Sequence, residues 1–321
     1  MNDVNDIRIE LFGAEEPFEA DVCDEPKRPV GICLVGAAGK MGNAIVEQIK
    51  LISTHSDAGP TRSAGPAAHY EAPISTHSDA PISTHSDAIP LENAAYLASA
   101  IEHEQSPLLG SPVSAIPNIT YTSDLAAGAM ASDVIVNFSA AESVARTISV
   151  AIAQRKPLVC GVTGLSDGTM DALKQAAAHI PVLYDANMSI GIAVMKKALR
   201  LLAQLLDFDV EISEVHHRHK KDTPSGTALS LAHTIAQVRP QSTVTCARAG
   251  MRADGDIGIS SSRGGSAIGT HNVMFLGEHE MVSLSHQAMS RAAFATGAVR
   301  AALWLRAQDS GWYSMEDFVS P

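Results

Sequence analysis

The stretch VGICLVGAAGKMG, residues 30–42, decides the fold of this chain. Its first six residues form an apolar run that stops at Gly36, as in a strand buried inside a parallel sheet. From Met41 to Ile52 apolar residues recur four positions apart, which predicts an amphipathic helix. Small residues in the turn between them let a pyrophosphate approach the free N–H groups of the helix N-terminus. The stretch therefore predicts the strand, glycine turn and helix that open a dinucleotide-binding domain.

Apolar segments and helical segments keep alternating after this opening. Further strands are predicted at 95–101, 133–139, 157–161 and 181–187, and helices at 142–154 and about 167–179. Strands that alternate with helices form parallel sheets, because each helix carries the chain back across a face of the sheet. We therefore expect an α/β fold with a Rossmann-like, doubly wound parallel sheet.

The pattern changes after an amphipathic helix predicted from about Ile190 to Leu206. Strand-like alternation then appears at 209–217, 244–250, 267–277 and 280–288, with little helix between these segments. This pattern predicts a second, α+β domain built on an open mixed or antiparallel sheet. A final helix is predicted at Arg291–Ala307.

The expected organisation has an acidic extension at 1–27 and two domains. The dinucleotide-binding domain takes 28–186 and 291–321, and the second domain takes 187–290. A low-complexity insertion at 53–92 interrupts the first domain, and in it the heptapeptide ISTHSDA occurs three times. Repeats this short and this poor in apolar residues cannot build a packed core, so we interpret the segment as a surface insertion. A metal-binding role for its histidines is the less favoured alternative.

Composition and charge narrow the class of protein. The 321 residues carry a net charge of −12, which disfavours nucleic acid and anionic membranes as partners. The first residues are acidic where a signal peptide needs a basic start, and no apolar run reaches the ~20 residues of a membrane span. The four cysteines lie far apart, as expected for reduced thiols. We therefore expect a soluble, cytoplasmic protein.

A dinucleotide site of this type needs a carboxylate at the end of its second strand, to bind the ribose hydroxyls. Glu102 directly follows the predicted strand at 95–101 and is the best candidate, although an ordinary exposed loop acid remains the alternative. The aspartates of the repeats follow no strand. His103, beside Glu102, can face a 2′-phosphate, but it is a weaker partner for that group than an arginine.

Two loops follow later strand ends and are candidates for contacts with nicotinamide and ribose. They are Gly161-Val162-Thr163-Gly164 and Asp185-Ala186-Asn187-Met188-Ser189. In a doubly wound sheet the carboxyl ends of the strands line the ligand crevice. Each loop can equally be a simple turn.

The most informative stretch is EVHHRHKKDTPSGTA, residues 214–228. Every residue from His216 to Lys221 is His, Lys or Arg, and a cluster so dense in an acidic chain indicates an anion site. We expect Thr223 to cap a helix with Pro224 at its first position. The N–H groups of Ser225, Gly226 and Thr227 would then face the ligand.

The same cluster suits proton delivery. A histidine near its ordinary pKa and an adjacent ammonium group can supply a proton to a carbon that is being reduced. Two other interpretations of the cluster are less favoured. The three histidines can in principle bind zinc, but the lysines and the arginine repel a dication and no further ligand completes the shell. The cluster can also be a solvated basic loop.

This stretch resembles the signature E-x-H-H-R-H-K-x-D-x-P-S-G-T-A of the 4-hydroxy-tetrahydrodipicolinate reductases. GAAGKMG, GVTG, ANMSIG and SRAAFATGAVRAALWL match that family in the same order, and the resemblance covers about 28–52 and 97–313. It implies reduction of 4-hydroxy-tetrahydrodipicolinate to tetrahydrodipicolinate and water by NADH or NADPH, in lysine and diaminopimelate biosynthesis. It also implies a homotetramer assembled through the sheet of the second domain.

The resemblance further implies roles for individual residues. His216 is the acid or base and Lys220 the proton donor. The implied substrate contacts are His217, Ser225, Gly226, Thr227 and Arg291. The implied cofactor contacts are Gly36, Ala37, Ala38, Gly39, Lys40, Met41, Glu102, His103, Gly161, Val162, Thr163, Asp185, Ala186, Asn187 and Met188.

Three departures from the family pattern leave the choice between NADH and NADPH open. They are the repeat insertion, His103 in place of an arginine, and Met188 in place of a phenylalanine. Two other functions also remain open, namely another Rossmann-type dehydrogenase of amino-acid metabolism and a non-catalytic nucleotide-binding relative. Retention of Lys220 and of the PSGT turn argues against the non-catalytic relative.

Overall fold

The computed structural model describes residues 28–54 and 95–320. The predicted acidic extension and nearly all of the repeat insertion therefore lie outside the described residues. The strands are β1 (Val30–Val35), β2 (Ala95–Ile101), β3 (Pro112–Val113), β4 (Ile116–Thr122), β5 (Val134–Asn137), β6 (Leu158–Cys160), β7 (Pro181–Tyr184), β8 (Asp209–His216), β9 (Thr243–Cys246), β10 (Asp256–Arg263), β11 (Thr270–Leu276), β12 (Met281–Gln287) and β13 (Gly311–Tyr313). The helices are α1 (Lys40–Thr54), α2 (Leu125–Met130), α3 (Val144–Ala153), α4 (Asp167–Ala176), α5 (Ile190–Leu205), α6 (Gly226–Ala236), α7 (Ala292–Leu305) and α8 (Met315–Phe318).

The first sheet has eight strands in the order β13-β7-β6-β5-β1-β2-β4-β3. All its pairs are parallel except β3 with β4, so the predicted Rossmann-like sheet is confirmed. In the register of the central strands, Val35 lies opposite both Ile101 and Asn137. The carboxyl ends of β1, β2 and β5 therefore meet at one edge, where a nucleotide crevice is expected.

Helices cover both faces of this sheet. Ile32 and Leu34 pack among residues of α1 and α7, whereas Cys33 and Val35 pack among residues of α2, α3 and α4. This division follows from the strand geometry, because successive side chains point to opposite faces. Among the described residues, no helix is both long and apolar enough to cross a bilayer.

The second sheet has five strands in the order β12-β11-β8-β10-β9 and is mixed. β10 is parallel to β8 and β9, whereas β11 is antiparallel to β8 and β12. α5 and α6 pack on one face of the sheet. The sequence analysis missed β10, because its glycine and serines hide the strand pattern. It did predict that a helix starts near Pro224, and α6 begins two residues later, at Gly226.

The first domain also holds elements that sequence patterns did not predict. β3, β4 and α2 lie between the predicted strands at 95–101 and 133–139, and β4 is polar because it lies near the edge of the sheet. The predicted final helix is α7, but β13 and α8 follow it, and β13 extends the sheet beside β7. A strand of three residues is too short to show a period.

Three of the four cysteines lie in the described part of the chain, and all three are free thiols. Cys33 and Cys160 are buried in strands, and burial raises the pKa of both thiols to about 11. They are therefore protonated and unreactive at neutral pH, as expected. Cys246 differs from them because it is exposed.

Candidate active site

The glycine turn after β1 leaves a space that larger side chains would fill. Gly36 has φ of +80°, and a Cβ atom there would lie 2.8 Å from the Cα atom of Ser139. A Cβ atom on Gly42 would lie 2.2 Å from the carbonyl oxygen of Gly36. The first glycine thus permits the left-handed turn, and the third lets α1 begin close to β1. This geometry leaves room for a phosphate at the helix N-terminus.

Glu102 lies at the end of β2 and braces this turn. Its Oε1 atom accepts a hydrogen bond from the backbone N–H of Ala38 at 2.7 Å. Glu102 and His103 both line a cavity of about 560 Å³ that also includes Gly36 and Gly39. The predicted ribose carboxylate therefore lies beside the glycine turn, and its contact with the ribose remains a prediction.

An arginine that sequence analysis did not select lines the same cavity. Arg146 of α3 forms an ion pair with Glu104 at 3.2 Å, and both side chains are more than half exposed. Because Arg146 lies on α3, far from His103 in the chain, the sequence did not show that the two residues line the same cavity.

A second cavity, of about 320 Å³, lies between the two sheets and receives side chains from both domains. Predicted cofactor residues that line it are Met41, Gly161, Thr163, Ala186, Asn187 and Met188. The predicted catalytic residues His216 and Lys220 line it, and so do the predicted substrate residues His217, Thr227 and Arg291. Phe138 lines both cavities, so the two are adjacent. The volume is in the usual range for a small-molecule site.

Other predicted site residues line neither of these two cavities. They are Ala37, Ala38, Lys40, Val162, Asp185, Ser225 and Gly226. The cavity between the domains also contains residues that the sequence analysis did not select, including Phe138, Gly269, His271, His286 and Phe294. The alternation of β11 gives one signal that was available, since His271 falls on the same face as the buried Val273 and Phe275.

A buried carboxylate orients His216. Glu214 accepts from His216 Nδ1 at 2.6 Å and from the two terminal nitrogens of Arg263 at 2.7 and 2.8 Å. The backbone N–H of Ser225 donates to the same carboxylate at 3.0 Å. Burial would raise the pKa of Glu214, but the bonds from Arg263 and His216 outweigh it and lower that pKa to about 2. Glu214 is therefore ionised at neutral pH.

His216 is neutral in this environment. Burial lowers its pKa, and the opposing effect of Glu214 does not compensate. Because Nδ1 donates to the carboxylate, Nε2 carries the lone pair and is the acceptor atom of the ring. A Cβ atom on residue 269 would lie 2.8 Å from Nε2, so Gly269 keeps that side of the ring accessible. The sequence analysis expected a histidine with a pKa near neutrality, and it could not show the burial that lowers this pKa.

Lys220, the predicted proton donor, lines the cavity between the domains. Its Nζ atom lies 2.9 Å from Oδ2 of Asp222, and its side chain is 22% exposed. Burial would raise the pKa of Asp222, but the hydrogen bond and charge of Lys220 lower it overall. Asp222 is therefore ionised at neutral pH. One N–H of Lys220 bonds to Asp222, and the ammonium group has two more N–H donors for a ligand.

The PSGT turn differs from the predicted cap. Ser225, rather than Thr223, caps α6, and its Oγ atom accepts from the backbone N–H of Ala228 at 3.2 Å. Ser225 is also 1% exposed, and its N–H is already bonded to Glu214. The N–H of Gly226 in turn bonds to the carboxylate of Asp222, which leaves the N–H of Thr227 at this helix start for a ligand. Sequence alone could not separate two capping candidates that lie two residues apart.

Two serine–histidine pairs fix the starts of α5 and α6. Ser225 Oγ lies 3.1 Å from His271 Nε2, and Ser189 Oγ, which caps α5, lies 3.1 Å from His286 Nε2. The two histidines are cross-strand neighbours on β11 and β12. Burial lowers the pKa of His271 to about 4 and also lowers that of His286, so both rings are neutral at neutral pH.

Asp185 supports the loop after β7 rather than presenting a carboxylate to the cavity. It lies 3.6 Å from the buried Lys196 of α5, and it accepts from the backbone N–H of Asn187 at 3.1 Å. Burial raises the pKa of Asp185, and Lys196 offsets this effect only in part. Any contact of Asp185 with a cofactor would therefore involve its backbone.

Within residues 28–54 and 95–320, no group of three or more His, Cys, Asp or Glu side chains is placed to hold a metal ion. The donors at the cavity are instead cations, neutral imidazoles and backbone N–H groups. A parallel sheet with a glycine turn, joined through one cavity to a domain with this donor set, defines a nicotinamide-nucleotide-dependent oxidoreductase.

Comparisons with known proteins identify the family. The model of the dihydrodipicolinate reductase N-terminus matches residues 83–188, and that of the C-terminus matches residues 191–319. The chain is 43% identical over 203 residues to the 4-hydroxy-tetrahydrodipicolinate reductase of Campylobacter concisus, covering 61% of this chain and 79% of that protein. It is also 43% identical over 187 residues to the Rickettsia rickettsii enzyme of that name, covering 58% and 78%. The chain belongs to the dihydrodipicolinate reductase family.

A solved structure supports the fold independently. A dipicolinate-bound dihydrodipicolinate reductase from a Paenisporosarcina species superimposes with a TM-score of 0.63 at 21% identity, covering 90% of this chain and 99% of that one. A probable dehydrogenase from Thermotoga maritima has a TM-score of 0.53 at 11% identity, covering 90% and 92%. At these identities the likeness concerns the fold alone.

Proposed function

We propose that this protein reduces 4-hydroxy-tetrahydrodipicolinate to tetrahydrodipicolinate with loss of water, using NADH or NADPH, in lysine and diaminopimelate biosynthesis. The observation that carries the proposal is one cavity in which the loops of the nucleotide domain meet Lys220, Arg291 and the start of α6. Family membership supplies the substrate. The relatives are named for this reaction, and one solved relative binds dipicolinate.

The residues of the first domain fit a dinucleotide. Gly36 and Gly42 leave space at the start of α1, and Glu102 lies beside them with its Oε1 atom bonded to the turn. Gly161 lies in the loop after β6, where a larger residue would clash, because a Cβ atom there would lie 2.2 Å from the Phe138 ring. Met41, Thr163 and the loop 186–188 would hold the nicotinamide end. When bound, the reduced nicotinamide supplies the hydride.

Lys220 supplies the proton that balances the reduction. Negative charge develops on the substrate as the hydride is added, and the ammonium group is a charged donor in the same cavity. Neutral His216 cannot donate from Nε2, so its role in this mechanism is to accept a hydrogen bond or a proton there. Glu214 and Arg263 keep its ring in one tautomer and orientation.

The anionic groups of the substrate meet the start of α6 and Arg291. Thr227 presents its N–H and hydroxyl groups at the start of α6, and the helix dipole adds partial positive charge there. Arg291 lines the cavity from the segment that leads into α7, so it reaches the substrate from the other domain. His217 lines the same cavity.

The proposed domains are a dinucleotide-binding domain of 28–186 with 291–321 and a substrate-binding domain of 187–290. The packing of α7 against α1 and of α5 against the second sheet supports this division. The proposed assembly is a cytoplasmic homotetramer formed through the open face of the second sheet. Val215 and Met281 are 39% and 56% exposed on that face. Sedimentation velocity would measure the assembly directly.

A spectrophotometric assay tests the reaction. Purified protein mixed with freshly generated substrate should oxidise NADH or NADPH, and tetrahydrodipicolinate should accumulate in equal amount. Protein that binds both cofactors but turns over neither would instead support a non-catalytic nucleotide-binding relative.

The cofactor cavity predicts a weak preference for NADH over NADPH. The charge of Glu102 repels a 2′-phosphate, and Arg146, which lines the same cavity, is already paired with Glu104. His103→Arg should therefore lower the dissociation constant of NADPH by about tenfold, the scale of one charge-assisted hydrogen bond. The dissociation constant of NADH should stay nearly unchanged. Fluorescence titration of each cofactor measures both dissociation constants.

His179→Arg is the matched control for this change. His179 is exposed just before β7, at the opposite edge of the sheet from the glycine turn, so the added charge is the same but distant. An equal gain for NADPH in both variants would mean that the effect comes from net charge rather than from a contact at His103.

A further inference from the structure

One hydrogen bond joins the predicted cofactor loop to the predicted substrate turn. Asn187, in the loop after β7, has its Nδ2 atom 2.9 Å from Oγ1 of Thr227, the second residue of α6. Both side chains line the cavity between the domains. The bond therefore spans the two halves of the site.

The direction of this bond is fixed by the neighbours of Asn187. The backbone N–H of Ser189 donates to Asn187 Oδ1 at 2.9 Å. A backbone N–H can only donate, so the oxygen of the carboxamide must face Ser189 and the nitrogen must face Thr227. Because the amide nitrogen is only a donor, Thr227 Oγ1 accepts, and the hydroxyl hydrogen of Thr227 is left for another acceptor.

The surroundings of that hydrogen favour an anion. Lys220 and Arg291 line the same cavity, and Thr227 lies in the first turn of α6, at the positive end of the helix dipole. The loop that carries Asn187 is itself held, because its N–H bonds to Asp185 and Asp185 pairs with the buried Lys196. The donor direction is therefore set before a ligand arrives.

We propose that Asn187 is a positioning residue that makes the Thr227 hydroxyl a dedicated donor to a carboxylate of the substrate. This inference rests on the proposed function, which supplies a dicarboxylate as the ligand. It assigns the Asn187 side chain to the substrate, whereas the sequence analysis assigned it to the cofactor.

Asn187→Asp tests the direction of the bond. One carboxylate oxygen can still accept from Ser189, so the loop keeps its bond, but the other can only accept and takes the Thr227 hydrogen. The substrate KM should rise by about 10²-fold, the scale of a lost charge-assisted bond made worse by the added negative charge. The NADH dissociation constant, measured by fluorescence without substrate, should change by no more than about twofold if the side chain makes no cofactor contact.

A double-mutant cycle removes the contribution of the added charge. Asn187→Ala alone should raise the substrate KM by about tenfold, the scale of one hydrogen bond. In a Thr227→Val background the same change should have almost no further effect, because the hydroxyl that it positions is gone. Thr227→Ser keeps the hydroxyl and should retain the sensitivity to Asn187→Ala. Circular dichroism checks that all variants are folded.

Calorimetric binding of dipicolinate separates this inference from the proposed function, because it needs no turnover. If wild-type protein binds dipicolinate with the same dependence on Asn187 and Thr227 but reduces nothing, the proposed reaction is wrong and the inference stands. If Asn187→Ala instead weakens NADH and leaves both KM and dipicolinate binding unchanged, the side chain is a cofactor contact and the inference is overturned. The inference is also overturned if the effects of Asn187→Ala and Thr227→Val on the substrate KM are additive.

Discussion

Replacing Lys220 with alanine is expected to lower kcat by about 10²-fold or more, the usual scale for the loss of a general acid. The ammonium group acts as charge develops on the substrate, so its loss should affect turnover more than ground-state binding. Steady-state kinetics with fixed saturating NADH measure both parameters. The NADH dissociation constant should barely change, because Lys220 belongs to the second domain and pairs with Asp222.

Two further variants sharpen this test. Lys221→Ala removes the same charge one residue along the chain from an exposed side chain, and it should keep kcat within about threefold, as typical surface substitutions do. Lys220→Arg keeps the positive charge but cannot release a proton, so it should retain KM and still lose kcat. If Lys220→Ala left kcat intact and weakened NADH binding, the cluster would be a phosphate site.

Replacing Glu214 with glutamine is expected to lower both stability and kcat. Its pKa is about 2 in the folded protein and 4.5 unfolded, which corresponds to about 3 kcal/mol of stability at neutral pH. The change leaves Arg263 without a charged partner and removes the carboxylate that holds the His216 tautomer. We expect kcat to fall by about tenfold or more through the misplaced ring.

The lowered pKa of Glu214 also predicts how the loss of stability in Glu214→Gln depends on pH. A carboxylate whose folded pKa is depressed stabilises the protein fully above its unfolded pKa, and that contribution is lost as pH falls through its folded pKa. The difference in unfolding free energy between wild type and Glu214→Gln should therefore be largest above pH 4.5 and shrink toward pH 2. Urea unfolding at several pH values measures it.

Glu211→Gln is the control for a general loss of ion pairs. Glu211 lies on the same strand and pairs with Arg248 and Arg252, but it has no bond to His216. This variant should lose some stability and keep kcat. An equal loss of kcat in both variants would show that Glu214 acts on the fold alone, and the proposed orientation of His216 would then be wrong.

Local sequence determined the beginning of the fold and the centre of the site. Residues 30–42 predicted β1, the glycine turn and α1, because a buried strand, a turn that needs glycine and an amphipathic helix each leave a local pattern. Glu102 could be placed at the end of β2 for the same reason. The cationic cluster from His216 to Lys221 stood out because its density has no structural explanation in an acidic chain.

Only the tertiary structure decided what surrounds these residues. Arg263, His271 and His286 reach the site from β10, β11 and β12, and no spacing in the sequence connects them with His216. Nor could the sequence show that Ser225, rather than Thr223, caps α6, because the choice depends on backbone direction at the turn. The neutral state of His216 was hidden as well, since it depends on burial by strands distant in sequence. Local patterns report local backbone geometry, whereas protonation and hydrogen-bond direction depend on packing between elements far apart in the chain.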